Sequence, residues 1–460
     1  MEDTHFDLLV IGFGKGGKTL AATMGRLGKR VAMVEQSAEM YGGTCINIGC
    51  VPTKALVHHA EHSGAGSPGE RHRQAVADTR ALTSTLRGKN FAMLDTIDSV
   101  VVITGRAEFL DAKTVRVTAG DDVLELGADT IVINTGAVPV VPPIPGLRAS
   151  AHVLTSTDLI DLDHLPKRLA ILGGGYVGVE FASIYAQFGS AVTVLDAGPR
   201  IMPREDDDVA AVATGILRGA GVEFGPGAHV TNVRDIDNGV EITYEAGGRT
   251  HTLAADEVLA ATGRVPATGD LGLGRAGVRT TASGAVEVDE FLRTSQPHVY
   301  AVGDVNGGPQ FTYISLDDSR IVTDQLTGDG RRSTLDRKFV PYTVFMSPAL
   351  SRVGLTEREA VERGLPVKVV EKAVADIAGM PRAKIVGDTR GLMKFVVDRV
   401  TDEVLGAALL SVDSQELINA VTLAMRHGVT ASELRDAIYT HPSSTEAFNE
   451  VLAAPPVRQA

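Results

Sequence analysis

The two cysteines of the chain, Cys45 and Cys50, lie in one glycine-rich segment that starts at Gly42. The glycines before Thr44 indicate that a helix begins about here. A thiol in the first turn of a helix faces unpaired N–H groups and the positive end of the helix dipole, which stabilise the thiolate. Because the thiolate is the nucleophile of disulfide exchange, the two cysteines are predicted to form a redox-active dithiol.

Two other interpretations of these cysteines are small buried hydrophobes or half of a zinc site. A structural zinc site needs two more ligands at the usual spacing, and the chain has no other cysteine. The flanking glycines and the short spacing favour redox chemistry instead. No metal ligands are therefore predicted here.

Length and composition limit the class of protein. A chain of 460 residues predicts two to four domains. Its net charge of −13 argues against nucleic acid or an anionic membrane as a partner, and no apolar run is long enough to span a bilayer. The start, Met1-Glu2-Asp3, lacks the basic residues of a signal peptide. We expect a cytoplasmic location, where a dithiol is kept reducible.

The chain opens with a strand, a glycine loop, a helix and a second strand. The apolar strand Phe6–Val10 leads into a Gly-x-Gly-x-x-Gly loop, a helical pattern runs from Thr19 to Leu27, and the strand Arg30–Val34 ends at an acid. The glycines let a pyrophosphate approach the helix N-terminus, and the acid can accept hydrogen bonds from a ribose. The predicted binding residues are Gly12, Gly14, Gly17 and Glu35.

The same pattern is repeated further along the chain. The strand Leu169–Leu172 leads into a second glycine loop, a helix extends to about Phe188, and the strand Ala191–Leu195 again ends at an acid. One such loop is weak evidence because glycine turns also serve packing, whereas two complete units with matched acids predict two dinucleotide sites. The second set of binding residues is Gly173, Gly175, Gly178 and Asp196.

Smaller markers complete the plan. A strand closes on Thr135-Gly136 after the first unit, another closes on Thr262-Gly263-Arg264 after the second, and a third ends at Gly303-Asp304. This aspartate can reach a ribityl or phosphate group. Residues 141–146 are proline-rich and predict a stiff linker, and residues 61–73 are polar and predict a surface loop. From about Lys338 strands alternate with amphipathic helices and carry no nucleotide signature.

In this order, the elements resemble the pyridine nucleotide-disulfide oxidoreductases over essentially the whole chain. The resemblance implies an α/β protein with two Rossmann-like dinucleotide-binding domains and a C-terminal α+β dimerisation domain. It implies FAD on the first unit and NADH or NADPH on the second. The expected limits are 1–143 with 264–337 for the FAD-binding and central part, 144–263 for the NAD(P)H domain and 338–460 for dimerisation of a homodimer.

The resemblance also implies roles for individual residues. Cys50 would lie against the flavin and Cys45 would face the substrate. Lys54 matches the lysine near flavin N5, Glu180 its carboxylate partner, and Tyr176 the aromatic residue that gates the nicotinamide pocket. Asp304 would bind the flavin, and His441 with Glu446 would form an acid–base pair that reaches the partner subunit's Cys45. The remaining matches to cofactor-binding positions are Gly43, Thr44, Thr135, Gly136, Gly263, Arg264 and Gly303.

Cysteine and histidine residues that the chain lacks narrow the choice of substrate. Mercuric reductases and large thioredoxin reductases use an additional C-terminal redox pair, and no cysteine follows Cys50. Dihydrolipoyl dehydrogenases usually carry His-x-His-Pro, where this chain has Tyr439 before His441. The segments Gly12–Lys15, Met40–Cys50 and Gln310–Asp318 look like flavoproteins of bacterial resistance to reactive chlorine. That similarity implies reduction of hypothiocyanous acid or Cu(II) as small-molecule oxidants.

Two other functions stay open. The first is a reductase of a small disulfide such as glutathione, mycothiol or lipoamide disulfide, which would use the same residues. The second is a redox-sensing or metal-binding flavoprotein, because His58 and His62 have the i, i+4 spacing of a metal pair. Asp196 favours NADH, since a carboxylate would repel the 2′-phosphate of NADPH. Arg200 and Arg204 nearby are the reason to keep NADPH as an alternative.

Overall fold

The computed structural model describes residues 4–62 and 64–459, so the predicted N-terminal features at residues 1–3 lie outside it. Three main sheets organise the chain, and the first is built on the N-terminal unit. Its apolar strands β1, β2, β6 and β17 pair in parallel at the centre, as expected for strands buried on both faces. The strands are β1 (His5–Ile11), β2 (Val31–Glu35), β3 (Val100–Thr104), β4 (Arg106–Phe109), β5 (Thr114–Ala119), β6 (Asp122–Ile133) and β17 (Val299–Ala301).

The second sheet holds the repeated unit. Its strands are parallel in the order β11-β10-β9-β15-β8, and an antiparallel three-stranded sheet, β12-β13-β14, follows β11 along the chain. These strands are β8 (Val153–Leu154), β9 (Arg168–Leu172), β10 (Ala191–Asp196), β11 (Val222–Pro226), β12 (His229–Ile236), β13 (Gly239–Ala246), β14 (Arg249–Ala255) and β15 (Glu257–Ala260). Two short strands, β7 (Ala137–Pro139) and β16 (Arg264–Pro266), pair antiparallel where the chain enters and leaves this region.

The third sheet is formed by the C-terminal part of the chain. Its six strands follow the order β18-β19-β22-β21-β20-β23 and pair antiparallel. They are β18 (Tyr342–Val344), β19 (Leu350–Gly354), β20 (Val367–Ala373), β21 (Leu392–Asp398), β22 (Val404–Leu410) and β23 (Arg458–Gln459).

Helices cover the sheets, and within the described residues no helix is both long and apolar enough to cross a membrane. They are α1 (Lys15–Arg26), α2 (Thr44–Asn47), α3 (Cys50–Glu61), α4 (Pro68–Asp95), α5 (Ser156–Ile160), α6 (Tyr176–Phe188), α7 (Asp207–Gly219), α8 (Thr312–Thr327), α9 (Glu357–Glu362), α10 (Pro381–Ile385), α11 (Ser414–Arg426), α12 (Ala431–Asp436) and α13 (Ala447–Val451). Short 3₁₀ turns occur at Ala38–Met40, Gly303–Asn306, Thr334–Asp336 and Val374–Asp376.

The loop predicted for residues 61–73 is wrong in its second half. Helix α4 begins at Pro68, because Ser67 forms a capping box with Glu70 and a proline occupies the first turn. The prediction gave too much weight to the polar composition. Residue 63, within the same segment, lies outside the described part of the chain.

The largest hydrophobic cluster joins the first two regions and extends to the third sheet. Leu56 and Val57 of α3 pack in one core with Val179 and Phe181 of α6. This packing brings the helix that starts at Cys50 against the helix that starts at Tyr176. The dithiol and the second glycine loop are thereby held on the same side of the molecule.

Candidate active site

Each cysteine lies in the first turn of its own helix. Cys45 belongs to the short helix α2, and Cys50 is the first residue of α3. Gly43 precedes α2 with φ of 76°, and a Cβ there would lie 2.6 Å from the Cα of Gly14. Only glycine therefore allows the redox segment to approach the first nucleotide loop this closely. The prediction that a helix begins at Thr44 is confirmed, and the break before the second helix was not expected.

The two thiols titrate as a pair. A hydrogen bond from Cys50 lowers the pKa of Cys45 to about 6, while burial works in the opposite direction. Thr312, Lys18 and Lys54 contribute further to the lowering. The pKa of Cys50 is raised because it donates that hydrogen bond, and burial adds to the effect. Cys45 therefore loses its proton before Cys50 does, and the resulting Cys45 thiolate is the form of the dithiol that can act as a nucleophile.

Lys54 and Glu180 form the ion pair that the resemblance implies. The ammonium of Lys54 lies 2.7 Å from one carboxylate oxygen of Glu180, and the other oxygen accepts a hydrogen bond from the backbone N–H of Phe345 at 2.8 Å. The side chain of Glu180 is 11% exposed, so water screens this pair less than a surface pair. Lys54 also lies 4.8 Å from the ring centre of Phe345.

The first nucleotide loop is fixed by groups of its own region. Glu35 accepts a hydrogen bond from the N–H of Phe13 at 2.9 Å, and burial raises the pKa of this carboxyl group. The N–H of Gly17 donates to the side chain of Asn134 at 2.9 Å. The N–H of Gly16 donates to Ser315 at 3.0 Å. The loop is thus a preformed cradle of glycines that ends at a buried acid.

In the second loop an acid again accepts a hydrogen bond from a loop N–H. In the described part of the chain, however, no side chain caps the start of α6 with a hydrogen bond, as Asn134 and Ser315 do in the first loop. Asp196 accepts hydrogen bonds from the N–H groups of Gly174 at 2.5 Å and Gly198 at 2.6 Å. Arg200 pairs with Asp207 and donates to the carbonyl of Pro203, so its charge is already used. Arg204 lies over the ring of Tyr176 at 5.8 Å.

The Thr-Gly markers occupy the connection between the two regions. Thr135 donates to the carbonyl of Ala267 at 2.8 Å, and Arg264 donates to the carbonyl of Ala137 at 2.5 Å across the β7–β16 pair. Gly136 and Gly263 both have positive φ, as these turns require. Thr44 lies beside this turn, because a Cβ on Gly136 would be 3.9 Å from its hydroxyl oxygen.

Gly303 and Asp304 follow β17 at the start of a 3₁₀ turn. Burial raises the pKa of Asp304, and the cation of Arg264 works against this. The N–H of Gly303 donates to Asp318 at 2.6 Å. Asp304 therefore follows directly on a residue bonded to Asp318, and its partly buried carboxylate lies close enough to Arg264 for the two charges to interact.

His441 and Glu446 form a compact acid–base pair. Nδ1 of His441 lies 2.9 Å from Glu446, which also accepts a hydrogen bond from the N–H of Ser443. The Ser443 hydrogen bond is the main reason why the pKa of Glu446 is lowered, and His441 adds to it. The imidazole is 72% exposed, and in the described part of the chain it makes no hydrogen bond or ion pair with either cysteine.

The rings of His58 and His62 have their centres 4.5 Å apart and are tilted by 34°. Among residues 4–62 and 64–459, no three His, Cys, Asp or Glu side chains are grouped so that they can hold a metal ion.

Three residues of the site, Thr312, Glu205 and Tyr342, were not given a role from the sequence. Thr312 lies 3.7 Å from the sulfur of Cys50, and Tyr176 contacts Glu205 and Tyr342 through its hydroxyl. These partners are far apart along the chain and belong to no nucleotide motif. Thr312 lies in the segment Gln310–Asp318, which the resemblance identified without assigning it a function, and no sequence signal pointed to Tyr342.

The residues present fit FAD and a nicotinamide nucleotide. Alanine at Gly12 would bring Cβ to 2.4 Å from the carbonyl oxygen of Asn134, and alanine at Gly173 would bring it to 2.5 Å from that of Ala261. Both loops are therefore cradles that a side chain would obstruct, and each ends at an acid suited to a ribose. Two such cradles beside a dithiol define a flavin-dependent disulfide reductase.

Comparison with known families leads to the same class. The family model described as pyridine nucleotide-disulphide oxidoreductase matches residues 6–318, and its dimerisation domain matches residues 340–452. The chain therefore belongs to the pyridine nucleotide-disulfide oxidoreductase family, whose members use FAD and a pyridine nucleotide, and it is a flavin-dependent oxidoreductase. The predicted fold class and enzyme class are confirmed.

Individual relatives narrow the similarity. The chain is 49% identical to the probable pyridine nucleotide-disulfide oxidoreductase RclA of Escherichia coli, over 97% of this chain and 99% of the relative. A mercuric reductase of Staphylococcus aureus is 34% identical, with 97% and 82% covered. The solved Cu(II) complex of the HOCl-induced flavoprotein disulfide reductase RclA from E. coli superposes with a TM-score of 0.93 at 47% identity, covering 98% of this chain and 99% of that one.

Proposed function

We propose that this enzyme defends a cytoplasm against reactive chlorine and related oxidants by reducing hypothiocyanous acid with electrons from NADH. The proposal is supported by the dithiol, because the lowered pKa of Cys45 supplies a nucleophilic thiolate at neutral pH. It is also supported by the similarity to RclA, which is HOCl-induced in E. coli. The chain has no other cysteine, so electrons leave through Cys45.

The proposed chemistry balances as two sulfur displacements. The thiolate of Cys45 attacks the sulfur of hypothiocyanous acid, forming a Cys45–S–SCN bond and releasing hydroxide. Cys50 gives up its proton, which in the net reaction converts the released hydroxide to water, and its thiolate then attacks Cys45, forming the disulfide and releasing thiocyanate. The substrate gains two electrons and the dithiol loses two. Bound FAD would take a hydride from NADH and return two electrons to this disulfide.

The other site residues have supporting roles in this proposal. His441 of the partner subunit protonates the leaving hydroxide, and Glu446 holds the imidazole ring. Lys54 and Glu180 form the polar wall beside the flavin, and Tyr176 covers the nicotinamide pocket until the nucleotide enters. The exposed imidazole supports a homodimer, in which a second chain completes the site. We also propose the domain limits given above.

Asp196 supports NADH over NADPH in this proposal. Its two oxygens face the end of the second loop, where a 2′-phosphate would meet a negative charge. Arg200 is occupied by Asp207 and does not offset that repulsion.

A steady-state comparison tests the substrate. Hypothiocyanous acid, Cu(II), glutathione disulfide, mycothiol disulfide and lipoamide are compared under saturating NADH. We expect the largest kcat/KM for hypothiocyanous acid and loss of its turnover in Cys45→Ser. Turnover of a small disulfide with none of hypothiocyanous acid would identify a reductase of low-molecular-weight disulfides, and turnover of Cu(II) alone would identify a copper reductase.

A further inference from the structure

Three oxygen atoms form a tight triangle at the start of helix α6. The hydroxyl of Tyr176 lies 2.8 Å from Oε1 of Glu205 and 2.8 Å from the hydroxyl of Tyr342. The hydroxyl of Tyr342 lies 2.6 Å from the same oxygen of Glu205. Two phenols supply two hydrogens, so the triangle holds two hydrogen bonds at a time. Each phenol can donate to the carboxylate or to the other phenol.

The carboxylate of Glu205 depends on these phenols. Its residue is fully buried, and within the described part of the chain its second oxygen, Oε2, accepts no hydrogen bond. The nearest cation is Arg352, whose Nε lies 3.6 Å from Oε2 and also donates to the hydroxyl of Tyr342. Because a buried carboxylate is costly when it lacks donors, the structure favours keeping both phenols in place.

Burial and the charge of Glu205 both raise the pKa of Tyr176 and of Tyr342. Both groups therefore stay protonated and act as donors throughout the physiological pH range. Changes of pH within this range therefore do not remove either phenol donor from the buried carboxylate.

The triangle joins two regions of the molecule. Tyr176 lies in the second nucleotide unit and Glu205 follows that unit, whereas Tyr342 and Arg352 belong to strands β18 and β19 of the C-terminal sheet. The ring of Tyr342 is nearly parallel to that of Phe311 at 6.2 Å. Phe311 precedes Thr312, the residue that contacts Cys50.

We propose that Glu205 and Tyr342 are positioning residues that hold Tyr176 in the closed position over the nicotinamide pocket until NADH displaces it. This proposal rests on the gating role proposed above for Tyr176. Opening breaks the contacts of the Tyr176 hydroxyl and leaves Glu205 with one phenol donor. The closed state is thereby favoured, and the apparent affinity for the nucleotide equals its intrinsic affinity multiplied by the fraction of enzyme that is open.

We call the contacts of Glu205 and Tyr342 with the hydroxyl of Tyr176 the latch, and removing single hydroxyl groups tests it. Tyr176→Phe keeps the ring and loses the donor, and Tyr342→Phe removes the other phenol. In rapid-mixing experiments with the holoenzyme we expect the half-saturating NADH concentration for flavin reduction to fall about two- to tenfold in each variant. In Tyr342→Phe, which changes no residue of the nicotinamide pocket itself, the limiting rate of flavin reduction should stay unchanged. Reoxidation of reduced enzyme by O₂ should become faster, because the pocket is open more often.

The matched control is Tyr185→Phe. Tyr185 lies on the same helix α6, is fully buried, and donates its hydroxyl to the carbonyl of Leu159 at 2.8 Å. It therefore loses a comparable buried hydrogen bond away from the pocket. We expect a similar loss of stability with wild-type half-saturation and O₂ reactivity.

The proposal is overturned if both latch variants keep the wild-type half-saturation, or if Tyr185→Phe shifts it equally. Tyr176→Ala separates the gating role of the whole side chain from the latch formed by its hydroxyl group. If this variant changes NADH half-saturation while the two phenylalanine variants do not, Tyr176 is a gate and the latch is wrong. If Tyr176→Ala changes nothing, the gating role is wrong and the latch falls with it.

Discussion

The two nucleotide units have the same plan but different supports. In the first, the loop amides donate to Asn134 and Ser315, which belong to the same region. In the second, Tyr176 occupies the place of Lys15 in the loop and its hydroxyl contacts a residue of the C-terminal sheet. The first loop is therefore held rigidly. The second is tied through Tyr176, the side chain that turns away when NADH enters in the proposed function.

This difference matches the two kinds of ligand that the proposal assigns to the units. A cofactor that stays bound needs a preformed cradle, which lowers the cost of ordering the loop. A nucleotide that enters and leaves in every cycle needs a pocket that opens and closes. The same backbone pattern thus serves both functions, and the side chains around the loop make the distinction.

The largest expected effects come from matched substitutions in the two loops. Gly12 and Gly173 both have positive φ, at 100° and 112°, and alanine at either would collide with a backbone carbonyl. Gly12→Ala should give a protein without flavin absorbance. Gly173→Ala should retain flavin that dithionite reduces and NADH does not. Gly215→Ala on helix α7, where nothing lies within 4 Å of the new Cβ, serves as the control. Loss of flavin in both variants would contradict separate roles for the units.

The next effect concerns the site completed by the second chain. Cys45→Ser and His441→Ala homodimers should each be inactive toward hypothiocyanous acid. After subunit exchange, mixed dimers should regain activity because one of their two sites has both residues. Mass spectrometry under native conditions establishes that exchange has occurred. No regained activity after proven exchange would place both residues in the same subunit.

A smaller effect is expected at the acid of the second unit. The repulsion between Asp196 and a 2′-phosphate should disfavour NADPH by about ten- to hundredfold in kcat/KM, on the order of 1–3 kcal/mol. Asp196→Ala should bring the ratio of the two nucleotides close to one. An unchanged ratio would show that another residue reads the ribose. Glu35, the matching acid of the first unit, lies outside this comparison because its substitution should affect FAD.

The smallest predicted effect is a pH midpoint. In the reduced enzyme, alkylation of Cys45 by iodoacetamide should rise with pH around a midpoint of about 6, since only the thiolate reacts. Cys50→Ala removes the main hydrogen bond that lowers this pKa, so the midpoint should move up toward that of an ordinary thiol. The same midpoint in both proteins would mean that Cys50 does not stabilise the thiolate.

The repeated unit was predictable because its spacing is local. Glycines, apolar strands and a terminal acid lie within one short stretch, so strands β1, β2, β9 and β10 fall within a residue or two of their expected ends. The start of helix α4 could also have been predicted, since Ser67 and Glu70 form a capping box before a long helical run. The polar composition hid that signal.

The latch could not be predicted in this way. Glu205 and Tyr342 are 137 residues apart and meet only because the C-terminal sheet packs against the second unit. Neither belongs to a motif with a known mechanism. Long-range contacts of this kind depend on how domains dock, which periodicity and spacing do not record.

The central claim is that electrons reach hypothiocyanous acid only through Cys45. It is tested most directly by mixing Cys45→Ser with NADH and then with hypothiocyanous acid while flavin absorbance is followed. We predict a long-wavelength band from the Cys50 thiolate beside oxidised flavin before NADH is added, then flavin reduction at the wild-type rate, and no reoxidation by the substrate. Reoxidation by hypothiocyanous acid at the wild-type rate would contradict the claim.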